Sequence, residues 1–237
     1  MNKKRKLKTG FTAMAAVIIT LAAMSLTACS NPSGGGGPPP GGTTYEVGDT
    51  GPGGGKIFYK SVAGFTVQGY SGGSGSFASY TAHYLEVAPG NAADSNIVWG
   101  FGEGDTVIDG VSSYTNNSAV NTALSNGEIG NGRKDTQIII AEFGTDAVYA
   151  ARSASEYTTT SGHTDWFLPS ITELRLLYQS TSAVSGIDSG TFWSSSQLPD
   201  TSGTYANTAW QLNFSSNQIN PSNKSIFSYS VRAIRAF

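Results

Sequence analysis

Three observations predict an α+β fold for this chain. Its centre carries helical periodicity, its two flanks read as short strands separated by turns, and one stretch, Thr164 to Tyr178, holds an explicit helix start. Strands gathered on either side of a helical centre, instead of alternating with helices, point to α+β.

The helix start is the densest of these signals. Ser170 followed by Glu173 is the capping-box pattern, in which the serine oxygen accepts from the amide of residue 173 and the glutamate accepts from that of residue 170. Ile171, Leu174, Leu177 and Tyr178 recur at three- and four-residue spacing and give the helix one apolar face. Pro169 stops any helix arriving from upstream, so the predicted helix runs from Ser170 to about Gln179.

Upstream of the domain the pattern is different. Lys3, Lys4, Arg5, Lys6 and Lys8 precede an apolar run from Phe11 to Leu26, followed by Leu26-Thr27-Ala28-Cys29. Residues 1–28 read as a secretory signal, with an apolar run short of the roughly 20 residues that span a bilayer. The ending resembles the bacterial lipobox, so Cys29, the only cysteine, is expected to be lipidated (palmitate) and to become the N-terminus. That places the protein in the bacterial cell envelope, lipid-anchored at the outer membrane or cell surface. Residues 29–43, with Gly34 to Gly37 and Pro38 to Pro40, cannot bury enough apolar surface to order themselves and read as a tether. Residues 44–237 form a single domain of about 190 residues, enough to bury about 70% of its unfolded surface.

Loss of the leader removes five basic residues and no acid, leaving nine Lys and Arg (14 less 5) against 16 Asp and Glu, a net charge of −7. Nucleic acid is excluded as a partner on that balance. No intrachain disulfide is available, so stability must come from the core.

Within the domain, Gly48 to Gly55 is a turn-rich entry followed by a strand at Lys56-Ile57-Phe58-Tyr59-Lys60. Gly55-Lys56 fails the phosphate-loop pattern, because Thr50 and Ile57 stand where glycine and Ser or Thr are needed. Residues 63–82 read as a surface loop with scattered aromatics. Strands are predicted at Tyr84 to Ala88 and Ile97 to Phe101, with Trp99 a core anchor. A polar loop precedes two helices, Thr136 to Phe143 and Thr145 to Tyr157, broken at Gly144; the capped helix follows. Strands return at Thr191 to Ser196, Ala209 to Phe214 and Tyr229 to Phe237.

Asp165-Trp166-Phe167-Leu168-Pro169-Ser170, Phe192-Trp193-Ser194-Ser195-Ser196 and the terminal Val231-Arg232-Ala233-Ile234-Arg235-Ala236-Phe237 together resemble the Lcl C-terminal domain family, named for a bacterial collagen-like adhesin. The entry Gly48 to Tyr59 and Tyr84-Leu85-Glu86-Val87-Ala88-Pro89 are similar to the form of that domain in bacterial lipoproteins, so the resemblance spans the whole mature domain. It implies a C-type-lectin-like mixed fold, similar also to formylglycine-generating enzymes, with paired terminal strands and two or three helices. It implies no settled activity. A relative binds sulfated glycosaminoglycans, a ligand that the net charge of −7 opposes. The motif residues also read as architecture: Asp165 can pair with Arg232 or Arg235, and Trp166, Trp193 and Trp210 can fill the core.

An enzyme would need a reactive group. The cysteines of the formylglycine-generating enzymes are absent, His83 and His163 lie outside metal-ligand spacing, and no Gly-x-Ser-x-Gly elbow occurs. Gln197-Leu198-Pro199-Asp200 lacks the spacing of a lectin calcium motif. The domain is therefore expected to be non-catalytic, without cofactor or metal. It would be an adhesin or lectin-like binder of a glycan or surface protein through Tyr70, Phe77, Tyr80, Tyr205 and Asn207, or else a structural envelope lipoprotein without a specific ligand. Changing Cys29 to Ala should move the protein out of the washed membrane fraction; a variant that stays fully membrane-bound would overturn the lipoprotein reading.

Overall fold

The computed structural model describes residues 43–101, 107–187, 189–199, 207–225 and 229–237. The leader, Cys29, the tether as far as residue 42 and Tyr205 lie outside them.

β1 (Lys56–Val67) and β2 (Tyr80–Val87) form an antiparallel hairpin, and β8 (Ile234–Ala236) adds to the other side of β2. The sheet extends into both ends of the segment 63–82 that the sequence suggested was loop. Its register skips between Lys60 and Phe65, so the period-2 alternation that would announce β1 is lost. The terminal strands share this sheet but are not paired with each other, because β2 lies between them.

The second sheet has the order β3 (Ala93–Ile97), β7 (Tyr229–Val231), β4 (Thr191–Gln197), β5 (Thr208–Asn213) and β6 (Gln218–Asn223). Only β4 and β7 run parallel. The expected strand at Ile97 to Phe101 is shifted upstream, and Trp99 follows it, fully buried. β6 escapes sequence detection because it is polar and holds Pro221, which an edge strand tolerates. The terminal run Tyr229 to Phe237 is split: Arg232 and Ala233 carry the chain from the second sheet into the first.

Four helices form among the described residues, one more than the upper expectation. α1 (Asn117–Ser125) occupies the stretch read as polar loop; only Val120 and Ala123 on it are buried, too thin a stripe to register as periodicity, and Asn116 caps it by accepting from the amide of Ala119 at 2.9 Å. α2 (Gly132–Phe143) starts earlier than Thr136 and ends at Gly144, whose φ of 70° suits glycine. The helix expected from Thr145 forms only as α3 (Ala150–Ser155), since Tyr149 is extended and Val148 lies exposed. α4 (Ile171–Gln179) has the full capping box, with Ser170 Oγ accepting from Glu173 N at 3.3 Å and Glu173 Oε2 accepting from Ser170 N at 2.7 Å.

β4 is buried along nearly its whole length and separates two apolar clusters. Phe192 enters the one built on β1, β2, α4 and β5, while Trp193 enters the one built on α2, α3 and β3. Trp99, Trp193 and Trp210 each donate an indole N–H to a carbonyl of another segment: Ser194, Ile97 and Tyr114, at 2.6, 2.9 and 3.1 Å. Trp193→Ala should therefore cost about 3–5 kcal/mol through its cavity, against about 1 kcal/mol for Ser170→Ala through the lost cap. Urea midpoints measure both; a midpoint unmoved by the tryptophan change would refute the core assignment.

Candidate functional site

The motif residues converge on Arg235. Pairing of β2 with β8 sets Glu86 opposite Arg235, and mutual backbone hydrogen bonds between Phe167 and Ile234 bring Asp165 alongside. Arg235 donates Nε and Nη2 to the two oxygens of Asp165 at 2.9 and 3.0 Å, and Nη1 to Glu86 at 3.2 Å. Burial works against its charge, but Asp165 and then Glu86 outweigh it and hold Arg235 above its ordinary range. Glu86 is fully buried and also accepts from the amides of Gly53 and Gly55 at 3.0 and 2.7 Å. The glycine-rich entry thus cradles an anion of its own chain. A Cβ on Gly51 or Gly53 would strike the Glu86 carboxylate, and one on Gly55 the carbonyl of Val87.

Of the two arginines open to Asp165 in the sequence, Arg235 is the partner. Arg232 instead donates to the carbonyls of Ala88 and Gly186, at 3.0 and 2.9 Å.

A second polar layer lies beside β4. Asp135 is completely buried and accepts from Ser112 N at 3.2 Å and Ser195 Oγ at 3.4 Å; burial pushes its carboxyl up to about 7. Burial likewise raises Glu173, although the amides of Ser170 and Gly130 oppose it. The Gln197 side chain, one of the lectin-motif candidates, is buried against Ile108 and accepts from Lys224 Nζ at 2.9 Å. Burial lowers Lys224 to about 8, and its ammonium sits 4.6 Å from the centre of the Trp99 ring. His83 faces the carbonyl of Ser61 through Nδ1 at 3.0 Å. Among the described residues, no three of His, Cys, Asp and Glu gather at metal-binding distance.

The aromatics proposed from the sequence do meet, though not as an open platform. Tyr70 and Phe77 bridge at the tip of the β1–β2 hairpin. Phe77 and Tyr80 then hold the guanidinium of Arg133, which lies 4.3 Å from the Phe77 ring centre and donates to Tyr80 Oη at 3.0 Å. Tyr80 Oη in turn donates to the carbonyl of Ala236 at 3.0 Å, so this pair clips α2 to the end of β8. Tyr70 Oη donates to the carbonyl of Gly72. Asn207 lies apart from them, its carbonyl accepting from Lys224 N at 2.9 Å beside β5.

A cleft that the sequence did not announce lies at the edge of the second sheet. It has a volume of about 260 Å³ and is lined by Asn117, Asn121, Arg175, Asn217, Gln218, Ile219 and Asn220. The α1 residues, α4 and the β5–β6 turn come from three distant stretches. The turn is shaped by Asn213 Oδ1 accepting from the amides of Ser215 and Ser216 and by Asn217 at a φ of 57°, a conformation asparagine tolerates. Arg175 Nη1 donates to Asn217 Oδ1 at 2.6 Å and its carbonyl at 3.3 Å, while Asn117 Nδ2 donates to the carbonyl of Ile219 at 3.2 Å. The five carboxamide residues are exposed, Arg175 is half-buried and Ile219 is buried.

Residues 142–235 match the family model of the Lcl C-terminal domain. The match covers β4 to β8, α3, α4 and the Asp165 and Arg235 motifs; the glycine-rich entry and Glu86 lie outside it. No curated protein matches the chain.

The buried carboxyls make a pH test. Above an ordinary carboxylate pKa of 3.8 the unfolded chain releases a proton that folded Asp135 keeps until about 7, so Asp135 lowers stability as pH rises across that interval and then levels off. Asp135→Asn should flatten the decline in urea midpoint between about pH 4 and 7. An unchanged slope would mean that the folded carboxyl is already ionised.

Proposed function

We propose, from the match of residues 142–235 to the Lcl C-terminal domain, a non-catalytic binding module, displayed on the bacterial envelope by lipid on Cys29, that takes a glycan or protein ligand. The family is linked to adhesin-like proteins. The observation that carries the reading is the cleft, where five exposed carboxamide side chains surround one cation. Carboxamides offer donors and acceptors without a proton to transfer, a surface for neutral recognition and not for acid–base chemistry. Three acids are committed to contacts within the fold: Glu86 to the glycine amides, Asp165 to Arg235, Glu173 to the cap of α4.

The binding surface differs from the aromatic loops that the sequence singled out. Phe77 and Tyr80 are occupied with Arg133, whereas the carboxamides of the cleft are exposed. A mature charge of −7 leaves dense polyanions and nucleic acid as poor partners.

Full-length protein held on lipid vesicles should retain a subset of surface glycans or matrix proteins. Joint change of Asn121 and Asn220 to Ala should weaken that retention about tenfold, equivalent to roughly one or two hydrogen bonds, and chelator should have no effect. Retention untouched by the cleft variant, or tight heparin binding that falls steeply with salt, would overturn the reading.

A further inference from the structure

We propose that the short loop of residues 109–112 is a proton-controlled flap over Asp135, closed while the carboxyl keeps its proton and lifted once the proton leaves. Asp135 is completely buried on α2, in surroundings that suit a neutral acid better than an anion. Among the described residues its one cationic neighbour at ion-pair distance is Lys134, 3.7 Å away on the same helix and turned partly to solvent. Its donors are the amide of Ser112 at 3.2 Å, the hydroxyl of the same residue, and the hydroxyl of Ser195 at 3.4 Å. Both distances are long for contacts to an anion.

The groups on the remaining sides do not make up the deficit. Glu173 faces Asp135 from α4, and the two acids oppose each other's ionisation. Glu173 is equally buried, but it accepts from the amides of Ser170 at 2.7 Å, Gly130 at 2.8 Å and Gly132, so its own titration leaves no oxygen short of donors. Tyr114, in the segment ahead of α1, is kept un-ionised by burial. β4 carries no ionisable residue and offers only Ser195. An ionised Asp135 must therefore draw on water.

The loop is the wall that can yield. β4 is enclosed between two apolar clusters, whereas residues 109–112 form neither helix nor strand, and Asp109 and Gly110 are exposed. Both ends of the loop are anchored on Gln197. Its side chain exchanges two hydrogen bonds with Ile108 at 3.0 and 2.6 Å, and its carbonyl accepts from Tyr114 N at 3.1 Å. Between those anchors, the carbonyl of Ser112 accepts from Gln197 N at 3.0 Å and the side chain of Val111 is buried. Lifting the loop breaks the contacts of Ser112, uncovers Val111 and brings water to the carboxylate. Gly110, at a φ of 79°, gives the loop a point about which to turn.

An aspartate open to water ionises at 3.8, and burial holds the closed one protonated up to about 7. The closed form is thus favoured in acid, loses ground by up to about tenfold per pH unit between those values, and levels off above them.

Hydrogen exchange of the full chain by NMR from about pH 4 to 8, corrected for intrinsic exchange, tests the flap. The opening constant of the Val111 and Ser112 amides should rise by up to about tenfold per pH unit and level off near neutrality, staying above that of the β4 amides throughout. The Asp135 carboxyl carbon and the Ser112 amide should titrate together with one midpoint near neutrality. Asp135→Asn should make the exchange of the loop independent of pH, and the wild-type titration stands as a test even if that variant fails to fold. A carboxyl midpoint near that of free aspartate, or a Ser112 signal that does not follow the carboxyl, would overturn the proposal. So would a single opening constant shared by the loop and β4, because the whole fold and not the loop would then answer to the proton.

Discussion

Burial of Arg235 is the constraint on which the rest of this domain depends. A guanidinium removed from water must be met by acceptors on its open edges, or the fold loses several kcal/mol. Here the acceptors come from two places far apart in the chain, Asp165 ahead of α4 and Glu86 near the end of β2. Each then imposes a requirement of its own. Glu86 needs more than one donor, and the amides of Gly53 and Gly55 meet that need only because those residues lack side chains. Asp165 must be held at the end of β8, which the backbone pairing of Phe167 with Ile234 achieves. One buried charge thus ties the entry loop, a central strand, the approach to α4 and the C-terminal strand into one arrangement.

The same economy runs through the second sheet. β4 lies between two clusters with both faces covered, so its polar residues have no water and must be satisfied internally. Ser194 donates to the carbonyl of Trp210 at 2.7 Å, Ser195 to Asp135, and Ser196 accepts from the amide of Ile171 at the start of α4. The serine run is therefore a set of short tethers from the central strand to its neighbours and not an exposed reactive surface. Tryptophan indoles do the corresponding job at longer range, joining Trp99 to β4 and Trp193 to β3.

Features governed by near neighbours could be read from the sequence, and features governed by register could not. The capping box depends on Ser170 and Glu173 alone, and both its hydrogen bonds form. The partner of Asp165 could be narrowed to Arg232 or Arg235, but the choice needed the pairing of β2 with β8, which sets Glu86 beside Arg235 and leaves Arg232 to carbonyls. The alanine-rich stretch from Thr145 had helical propensity, yet Tyr149 is extended there and donates its hydroxyl to the carbonyl of Gly144 at 2.6 Å; tertiary packing overrode the local preference. Phe77 and Tyr80 were visible as candidate binding aromatics because aromatics in a glycine-rich segment stand out. Arg133, which occupies them, arrives from α2. The cleft was hidden for the opposite reason: asparagine and glutamine are unremarkable one at a time, and only α1 and β6, both missed as elements, bring them together.

This division between interior and surface bears on how such a domain can acquire a ligand. Its scaffold charges are locked into pairs that cannot be altered without unfolding cost, so recognition has to be written in residues the fold does not use. The edge of the second sheet is such a place. Pro221 has no N–H to offer a further strand, and Asn117 occupies the carbonyl of Ile219, so the edge is closed to strand addition and free to carry side chains. Substitutions among Asn121, Gln218 and Asn220 would change the hydrogen-bonding pattern with little effect on the core, since all three are exposed. Arg175 is the exception, anchored through Asn217 to the turn that positions the carboxamides. A fixed cation within a ring of exposed neutral groups thus separates what the fold holds in place from what can vary without disturbing it.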